Sequence, residues 1–385
     1  MTTIGHSSPS SFPQSMMGTP RVDALPNELL LRLHDVMLEA RGLEERLIRM
    51  QRGGDGYFWI GGPGEEAFNA ALGSLVNKGQ GLEHDFLHLH YRSSATLLAM
   101  GADPIDSLRQ MKSVASDPYS GGRNFVGHYA VRAWNVAPIT SPIEVQYPMA
   151  LGSAIAQKRY GDSFPGRGGI TIVQGGDAGS AEGDFASCLV WASRPAMELP
   201  MLIIVTNNGW GISTPGHEQH GEAHVSDRGK PFGIKTMLVD GNDVEASYRA
   251  LDQAMKYVRT ERKPLLLEAY VSRLYGHSSS SGSNFVEGEI DCVAELETKL
   301  VARGLRTPSE CAALREKIEK RLLDASRMVA SEAAPEPEQM WEHVFADEDH
   351  VGKGAIRAPH DNKKWRLSAS TFPTQKPAVA KKNGN

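Results

Sequence analysis

The chain has 385 residues, 40% of them apolar and 23% charged, with a formal net charge of −5 at pH 7. This composition is typical of a globular protein, and the length allows one large α/β domain or two ordinary domains, so wholesale disorder is excluded. The three cysteines, Cys188, Cys292 and Cys311, are widely spaced, which argues against a disulfide framework and a Cys-x-x-Cys zinc site.

The same features indicate where the protein works. Few, widely spaced cysteines favour a reducing compartment. The longest apolar runs are too short to span a membrane, and no charged-then-apolar leader opens the chain. The net charge gives no general nucleic-acid-binding pattern. We therefore expect a cytoplasmic protein with neither a membrane nor a nucleic acid as its partner.

The charge is unevenly distributed along the chain. Residues 352–385 carry eight Lys/Arg and one Asp, a net charge of +7, which leaves −12 for the residues before them. The amino-terminal stretch is rich in Ser, Pro, Gly and Thr and lacks periodic apolar residues. The sequence predicts a flexible arm over residues 1–22, a domain over 23–345 and a basic, mobile tail over 346–385.

The predicted elements alternate along the chain. Apolar residues at helical spacing begin at Leu25 and end at Gly53, and shorter helices are predicted over 65–75 and 95–100. Three short apolar runs then alternate with helices: runs over 170–173, 201–205 and 264–271, and helices over 144–159, 182–193 and 243–262. This alternation predicts an α/β fold with a mostly parallel sheet covered by helices on both faces. The helix from Leu25 to Gly53 forms an amino-terminal extension of this fold, and the charged helical stretch from Gly288 to Ser331 forms a carboxy-terminal one.

Polar residues follow two neighbouring apolar runs. Gly175-Gly176-Asp177 ends the first run and Asn207-Asn208 ends the second. The carboxyl ends of parallel strands meet at one edge of a sheet, where active sites lie. Carboxylate, amide and carbonyl oxygens suit Mg²⁺, which completes its coordination with phosphate oxygens and water, and the helix that follows offers its amino end to an anion. A simple turn and a simple loop are the alternative at this point.

The spacing and the flanking segments resemble a known family. Asp177 and Asn208 lie 31 positions apart, as in the thiamine diphosphate signature Gly-Asp-Gly followed by Asn-Asn. The flanking segments narrow the resemblance: Ser141-Pro142-Ile143, residues 180–184, 207–215 and 239–243, and Tyr275-Gly276-His277-Ser278. From about residue 25 to residue 330 the chain is similar to the alpha subunit of the decarboxylating component of 2-oxo acid dehydrogenase complexes. It is most similar to the branched-chain type, with a thiamine diphosphate-binding fold.

The resemblance implies a role for each matching residue. Mg²⁺ is expected on Asp177, Asn208 and the backbone carbonyl of Trp210. Tyr91, Arg92 and His277 would reach the cofactor's diphosphate, and His277 is the expected catalytic residue. The remaining residues expected to bind thiamine diphosphate are Ser141 and Ile143, through their backbone beside the aminopyrimidine, and the glycine-rich loop Gly176, Asp177, Ala178 and Gly179.

The family also implies a reaction and partners. The expected reaction is oxidative decarboxylation of a 2-oxo acid, with 3-methyl-2-oxobutanoate favoured over pyruvate or acetoin, and acylation of the lipoyl group of an acyltransferase component. The glutamate that activates the cofactor's pyrimidine lies on a separate beta subunit in this family, so two alpha and two beta subunits are expected. A nicotinamide-dependent dehydrogenase and a noncatalytic, cofactor-holding regulatory subunit are the rivals from other classes.

Several positions depart from the family pattern. Ala178 replaces the second glycine of Gly-Asp-Gly, which should leave metal binding intact. Thr206 stands where branched-chain relatives can carry an arginine, so a phosphate contact is expected to be weaker. Val145 lacks the hydroxyl that some relatives use for potassium. In the serine run 278–281, Ser281-Gly282 replaces an expected acidic residue, so we expect a flexible loop over the site without a dedicated kinase.

Two local motifs suggest unrelated chemistry. His84-Asp85-Phe86-Leu87-His88 mimics the helical H-x-x-x-H of zinc proteases, but it has Asp in place of Glu and no evident third ligand. Gly276-His277-Ser278-Ser279-Ser280 resembles a hydrolase elbow, but Ser280 replaces the second glycine of G-x-S-x-G. Neither hydrolase is therefore predicted.

Overall fold

The computed structural model describes residues 24–164, 168–337 and 339. The predicted arm over 1–22 and the predicted tail over 346–385 lie outside the described residues. The chain divides into one compact unit, Met1–Glu332, and a second unit, Ala333–Asn385. In the described part of the second unit, the backbone N–H of Glu336 donates to the side-chain oxygen of Gln339 (2.8 Å). All elements below belong to the first unit.

The helices follow the predicted positions closely, and their bounds show where each begins and ends. The long amino-terminal helix ends at Gly54, whose φ of 83° is the left-handed conformation that glycine adopts without steric cost. The α-helices of the described residues are α1 Asn27–Gly53, α2 Glu66–Leu75, α3 Ser94–Ala99, α4 Pro104–Lys112, α5 Gln146–Tyr160, α6 Gly183–Ala192, α7 Val244–Glu261, α8 Cys292–Ala302 and α9 Pro308–Val329.

A five-stranded parallel sheet lies at the centre of the unit. Its strands are β1 Phe86–His88, β2 Thr171–Gly176, β3 Met201–Asn207, β6 Lys235–Asp240 and β7 Leu265–Tyr270, in the order β1-β2-β3-β7-β6. A separate hairpin pairs β4 Trp210–Gly211 with β5 Thr214–Pro215. In register, Gly176 at the end of β2 is paired with Thr206, which immediately precedes Asn207-Asn208. The two predicted polar segments therefore leave the same edge of the sheet side by side.

Side chains along β3 divide between two hydrophobic cores. Met201, Ile203 and Val205 pack with Phe185 and Leu189 of α6 on one face. Leu202 and Ile204 point to the other face, where α1, α2 and α7 supply the core. Because successive strand residues face opposite sides, a strand buried on both faces reads as a continuous apolar run. The predicted α/β class, with helices on both faces and helical extensions at both ends, is confirmed.

Local chemistry sets several element boundaries. The Asp243 carboxylate accepts from the backbone N–H groups of Glu245 and Ala246 (2.8 and 3.2 Å) and so caps the amino end of α7. Thr307 and Glu310 form a reciprocal capping box at the start of α9. Two sheet-edge strands, β1 and β6, and helix α4 were not predicted. No helix among the described residues has both the length and the apolar character that crossing a membrane requires.

The H-x-x-x-H segment does not form a metal site. Phe86–His88 is a strand, so His84 and His88 do not share a helix face. The ring Nε2 of His88 is hydrogen-bonded to the Ser153 hydroxyl (2.9 Å), and Asp85 instead forms an ion pair with Arg259. The strand conformation of this segment therefore rules out the zinc-protease site that the H-x-x-x-H spacing alone suggests.

Candidate functional site

The carboxyl ends of β1, β2 and β3 open into one pocket of about 600 Å³. Residues from the loops after each of these strands, and from the loop after β7, line its wall. Every residue that the sequence analysis assigned to the site lines this pocket: Tyr91, Arg92, Ser141, Ile143, Gly176, Asp177, Ala178, Gly179, Asn208, Trp210 and His277. The fold thus brings together residues that are up to 186 positions apart in the sequence.

The oxygen donors predicted for a metal lie at the ends of β2 and β3. Asp177 and Asn208 are almost fully buried, with 2% and 5% of their surface exposed. Oδ2 of Asp177 has no hydrogen-bond partner, although a buried carboxylate oxygen without a partner is costly. Oδ1 of Asn208 accepts a hydrogen bond from the backbone N–H of Trp210 (3.0 Å), and an amide oxygen has a second lone pair for a metal. This donor set fits a hard divalent cation such as Mg²⁺.

The turn after β3 fixes the direction of Asn208. The side chain of Asn207 donates to the Glu268 carboxylate on β7 (2.8 Å) and accepts from the backbone N–H of Gly209 (2.9 Å). Gly209 has a φ of 72°, which favours glycine at this position. Asn207 therefore anchors the turn, so the neighbouring Asn208 is free to face the pocket.

The loop after β2 is held by close packing. An added Cβ on Gly179 would collide with the carboxylate of Glu144, and one on Gly211 would lie 2.7 Å from the Cβ of Ala178. The methyl group of Ala178, which replaces the second glycine of the family signature, is therefore matched by the absence of a side chain at Gly211. A short 3₁₀ turn, Ala178–Ala181, separates this loop from α6, which begins at Gly183, one residue after the predicted start.

A buried cation lies beside the predicted catalytic histidine. Arg92 is 4% exposed, its Nε is 3.6 Å from a Glu65 carboxylate oxygen, and it also donates to the carbonyl of Gly61. Its Nη2 is 3.1 Å from Nδ1 of His277, and the Tyr91 and His277 rings meet edge-to-face with centroids 6.2 Å apart. Since arginine only donates, Nδ1 of His277 is the acceptor and the neutral ring carries its proton on Nε2.

The environment of His277 keeps the ring neutral. Burial lowers the pKa of His277 to about 4, and the positive charges of Arg92 and Arg273 act in the same direction. At pH 7 the positive charge beside the pocket is therefore that of Arg92 and not of His277.

The segment before α5 supplies the opposite wall of the pocket. The Ser141 hydroxyl lies 2.7 Å from Nε2 of His128, whose Nδ1 faces the carbonyl of Val126 at 3.3 Å. Burial lowers the pKa of His128, so its ring is neutral and Nε2 accepts from Ser141. The side chain of Ile143 is 54% exposed at the pocket rim. Ser141 and Ile143 therefore border the pocket, and the expected contact of their backbone with the aminopyrimidine stays a prediction.

Two buried carboxyl groups in the pocket wall were not predicted. Glu65 and Glu144 are each 1% exposed, and neither oxygen of Glu144 has a partner with hydrogen-bond geometry. Burial raises the pKa of Asp177 to about 6, of Glu65 to about 7 and of Glu144 to about 8. Glu65 follows the run Gly61-Gly62-Pro63-Gly64, a loop signal that could have marked it; Glu144 has no comparable local signal.

The serine run is anchored at one point. The backbone N–H of Ser279 donates to the carbonyl of Trp59 (2.8 Å), and the Trp59 N–H donates to the Ser279 hydroxyl (3.1 Å). Ser278 is buried, whereas Ser280 and Ser281 are exposed. At Thr206, another departure from the family, the hydroxyl donates to the carbonyl of Gly175 (3.3 Å) and supplies no cation.

Fold and site together define a class of protein. A parallel sheet whose strand ends present buried oxygen ligands beside a buried arginine is suited to a phosphate-bearing cofactor held through a divalent metal. The chain belongs to the dehydrogenase E1 component family, whose model matches residues 34–338. This confirms the family that the motifs identified, and the protein is an oxidoreductase component of that type. Membership implies thiamine diphosphate as the cofactor and a beta subunit as a partner.

Individual relatives give the same picture. The chain is 29% identical over 327 residues to the 2-oxoisovalerate dehydrogenase subunit alpha 2, mitochondrial, of Arabidopsis thaliana, covering 83% of this chain and 66% of the relative. It is 28% identical over 333 residues to the mitochondrial subunit alpha of Mus musculus, covering 84% and 72%. With the subunit alpha of Bacillus subtilis (strain 168) the identity is 27% over 340 residues, covering 86% of this chain and 100% of the relative.

Proposed function

We propose that the chain is the alpha subunit of a thiamine diphosphate-dependent dehydrogenase that oxidatively decarboxylates a branched-chain 2-oxo acid such as 3-methyl-2-oxobutanoate. The acyl unit is passed to the lipoyl group of an acyltransferase component. The observation that carries the proposal is the pocket that combines Asp177, Asn208 and Trp210 with the Arg92–His277 pair. The names of the relatives, all 2-oxoisovalerate dehydrogenase alpha subunits, support the choice of substrate.

The chain's own residues divide the work of binding. Asp177, Asn208 and the carbonyl of Trp210 would hold Mg²⁺, and Arg92 would donate charge-assisted hydrogen bonds to the diphosphate. His277 presents its Nε2–H to the pocket as a neutral hydrogen-bond donor. When bound, thiamine diphosphate supplies a nucleophilic carbon and an electron sink for decarboxylation. The protein's contribution is therefore position, charge and exclusion of water.

A beta subunit would complete the pocket in a heterotetramer of two alpha and two beta subunits. Ile143 and Ile212 line the pocket, yet their side chains are 54% and 51% exposed. Large apolar side chains at a pocket rim are typical of surfaces that a partner covers. This supports placement of the cofactor at the interface between the subunits.

Co-expression with a beta subunit tests the proposal directly. The reconstituted assembly is supplied with thiamine diphosphate and Mg²⁺, and release of CO₂ is measured from 3-methyl-2-oxobutanoate, pyruvate and acetoin. We expect the branched-chain acid to give the highest kcat/KM and the chain alone to be nearly inactive. A preference for pyruvate would overturn the substrate assignment, and full activity without a partner would overturn the shared site.

Two variants separate the rival classes. Asp177→Ala or His277→Ala in the assembly should lower turnover if the site is catalytic, whereas unchanged turnover would favour a noncatalytic subunit. Activity that needs a nicotinamide cofactor and is indifferent to Mg²⁺ would favour a nicotinamide-dependent dehydrogenase.

We also propose that the protein works in the cytoplasm. Its three cysteines are free thiols and all are buried, which is compatible with a reducing compartment. Fractionation of cells that produce the full chain tests this location. Recovery of the protein in an organelle fraction would contradict it.

A further inference from the structure

Three potential metal ligands meet at a junction of helices away from the pocket. His34 lies on α1, Glu297 on α8 and Cys311 on α9. One ligand atom from each residue lies within 4.8 Å of the other two, and Nε2 of His34 is 3.2 Å from Oε1 of Glu297. Within residues 24–164, 168–337 and 339, no other group of three His, Cys, Asp or Glu side chains meets this criterion. None of the three lines the cofactor pocket.

Burial gives this cluster the character of a site. His34 is fully buried and Cys311 is 3% exposed, whereas the Glu297 side chain is 18% exposed. An open groove of about 980 Å³ runs alongside and is lined by Glu297, Cys311 and Arg315. An ion entering from this groove would first meet Glu297 and Cys311, which line it, and then His34, which is buried and does not line it.

The ligand chemistry selects the metal. Imidazole nitrogen, carboxylate oxygen and thiolate sulphur are the protein ligands of Zn²⁺, usually four in a tetrahedron. With Zn–N and Zn–O bonds of about 2.1 Å, two ligands of a tetrahedron lie roughly 3.4 Å apart, close to the His34–Glu297 separation. We propose that His34, Glu297 and Cys311 form a zinc site, with water from the groove as the fourth ligand.

Zinc binding must displace or accommodate the charged side chains beside the cluster. Nη2 of Arg315 is 2.8 Å from the same Glu297 oxygen, but its side chain is 56% exposed and can turn into solvent. Arg306 is paired with Asp35 beside His34. On binding, the Cys311 S–H bond breaks, its proton passes to solvent and the sulphur forms the bond to zinc; no electron is transferred.

A metal here would act on stability. The three ligands come from three helices, and α8 and α9 follow the last strand of the sheet. A bound ion would fix both carboxy-terminal helices to α1, because each ligand belongs to a different element. The site is independent of the proposed function, so either can fail without the other.

Cobalt binding tests the ligand set. Co²⁺ is titrated into the purified full-length chain, since its absorption reports thiolate coordination. We expect one equivalent to bind with a sulphur-to-cobalt charge-transfer band that Cys311→Ser abolishes. The matched control is Cys188→Ser, a buried thiol on α6, which should keep the band. Absence of the band from the unmodified chain, or its survival in Cys311→Ser, would overturn the site.

A stability measurement covers the case in which the cysteine variant folds poorly. His34→Gln keeps a side chain able to hydrogen-bond Glu297 but removes the imidazole ligand. Zn²⁺ at a hundredfold excess over Kd should raise the Tm of the unmodified chain by about 4 °C. We expect His34→Gln to lose this rise. An equal zinc-induced rise in His34→Gln, or no rise in the unmodified chain, would contradict the proposal.

Discussion

The two edges of the central sheet bury carboxyl groups in opposite ways. At the amino edge, Asp85 immediately precedes β1 and is fully buried. Its carboxylate accepts from both terminal nitrogens of Arg259 (2.7 and 2.6 Å) and from the backbone N–H groups of Ile170 and Asn77 (3.0 and 2.9 Å). At the carboxyl edge, Glu144 is buried to the same degree and neither of its oxygens has a partner with hydrogen-bond geometry, although burial raises its pKa and the backbone of Gly176 lies close enough to lower it slightly.

This difference separates stability from binding. A buried carboxylate with a full set of donors holds elements together, and its loss leaves other groups unpaired. A buried carboxyl without donors costs free energy in the folded chain, and a fold retains it where a ligand or metal provides the compensation. The amino edge is therefore the structural edge of the sheet and the carboxyl edge is the functional one.

The largest expected effect is a loss of activity when Asp177, at the functional edge of the sheet, is replaced. Asp177→Asn removes the charged metal ligand and should lower activity of the reconstituted assembly by at least about 100-fold, since even residues that only support metal ligands contribute 10–100-fold. The free energy of unfolding of the chain alone should not fall, because the lost oxygen had no partner. Steady-state kinetics at varied Mg²⁺ and urea denaturation measure the two quantities. Asp184→Asn on α6 is the control, and a large loss of stability in Asp177→Asn would break the comparison.

The structural edge should show the reverse. Asp85→Asn removes the negative charge opposite Arg259 and puts an NH2 donor in place of one of the two acceptor oxygens, so it should reduce the free energy of unfolding by about 3 kcal/mol. The matched control is Asp252→Asn, which removes an exposed ion pair with Lys256 and should cost under about 0.5 kcal/mol. Urea denaturation of both variants gives the values. An equal loss of unfolding free energy in Asp85→Asn and Asp252→Asn would show that the buried contacts of Asp85 stabilise the fold no more than an exposed ion pair does.

A smaller effect, an increase in the free energy of unfolding, is expected when Glu144 is replaced by glycine. Its φ of 67° is a left-handed conformation that costs an ordinary residue roughly 1–2 kcal/mol but costs glycine little. Glu144→Gly also removes the buried carboxyl, so after the entropy cost of glycine the chain should be stabilised by about 1 kcal/mol. Thermal and urea unfolding of the cofactor-free chain test this. A destabilised variant would mean that the Glu144 side chain supports the loop after β2 by packing alone.

The pH dependence of stability sharpens the same point. The pKa of Glu144 is raised by burial from an ordinary 4.5 to about 8, so the folded chain binds its proton more tightly than the unfolded chain does. Its contribution to stability is complete below about pH 4.5 and is lost as the pH rises to about 8. Relative to Glu144→Gln, the unmodified chain should therefore lose stability over this window and change no further above it. Urea unfolding of the two metal-free proteins at a series of pH values measures the difference. A constant difference would contradict the raised pKa.

The parallel arrangement of the central strands, and the edge at which Asp177 and Asn208 lie, could be predicted from the sequence because both depend on local patterns. A strand buried on both faces is a continuous apolar run, and parallel strands end at one edge, so Asp177 and Asn208 could be placed together. Edge strands β1 and β6 carry weaker patterns: Phe86–His88 has three residues, and Lys235–Asp240 begins and ends with a charge. Neither was predicted.

The rest of the site depends on tertiary contacts. Arg92 and His277 are 185 positions apart, and only the family resemblance could pair them before the fold was known. The unusual character of Glu144 comes from its burial against the loop after β2, which no local pattern encodes. Sequence spacing therefore indicates which residues share an edge, and tertiary structure decides their protonation and partners.

The hydrogen bond from Arg92 to His277 restricts the proton chemistry of the imidazole. With Nδ1 held by a permanent cation, the ring cannot take up a proton there unless Arg92 first moves away. Its only transferable proton is on Nε2, and loss of that proton would leave an imidazolate anion. Neutral imidazole is a far weaker acid than imidazolium, so this proton is not readily given up at neutral pH. While the pair is intact, His277 can stabilise negative charge as it develops but cannot act as a general base. Any step that needs a proton removed must then use another group or first break the Arg92–His277 contact.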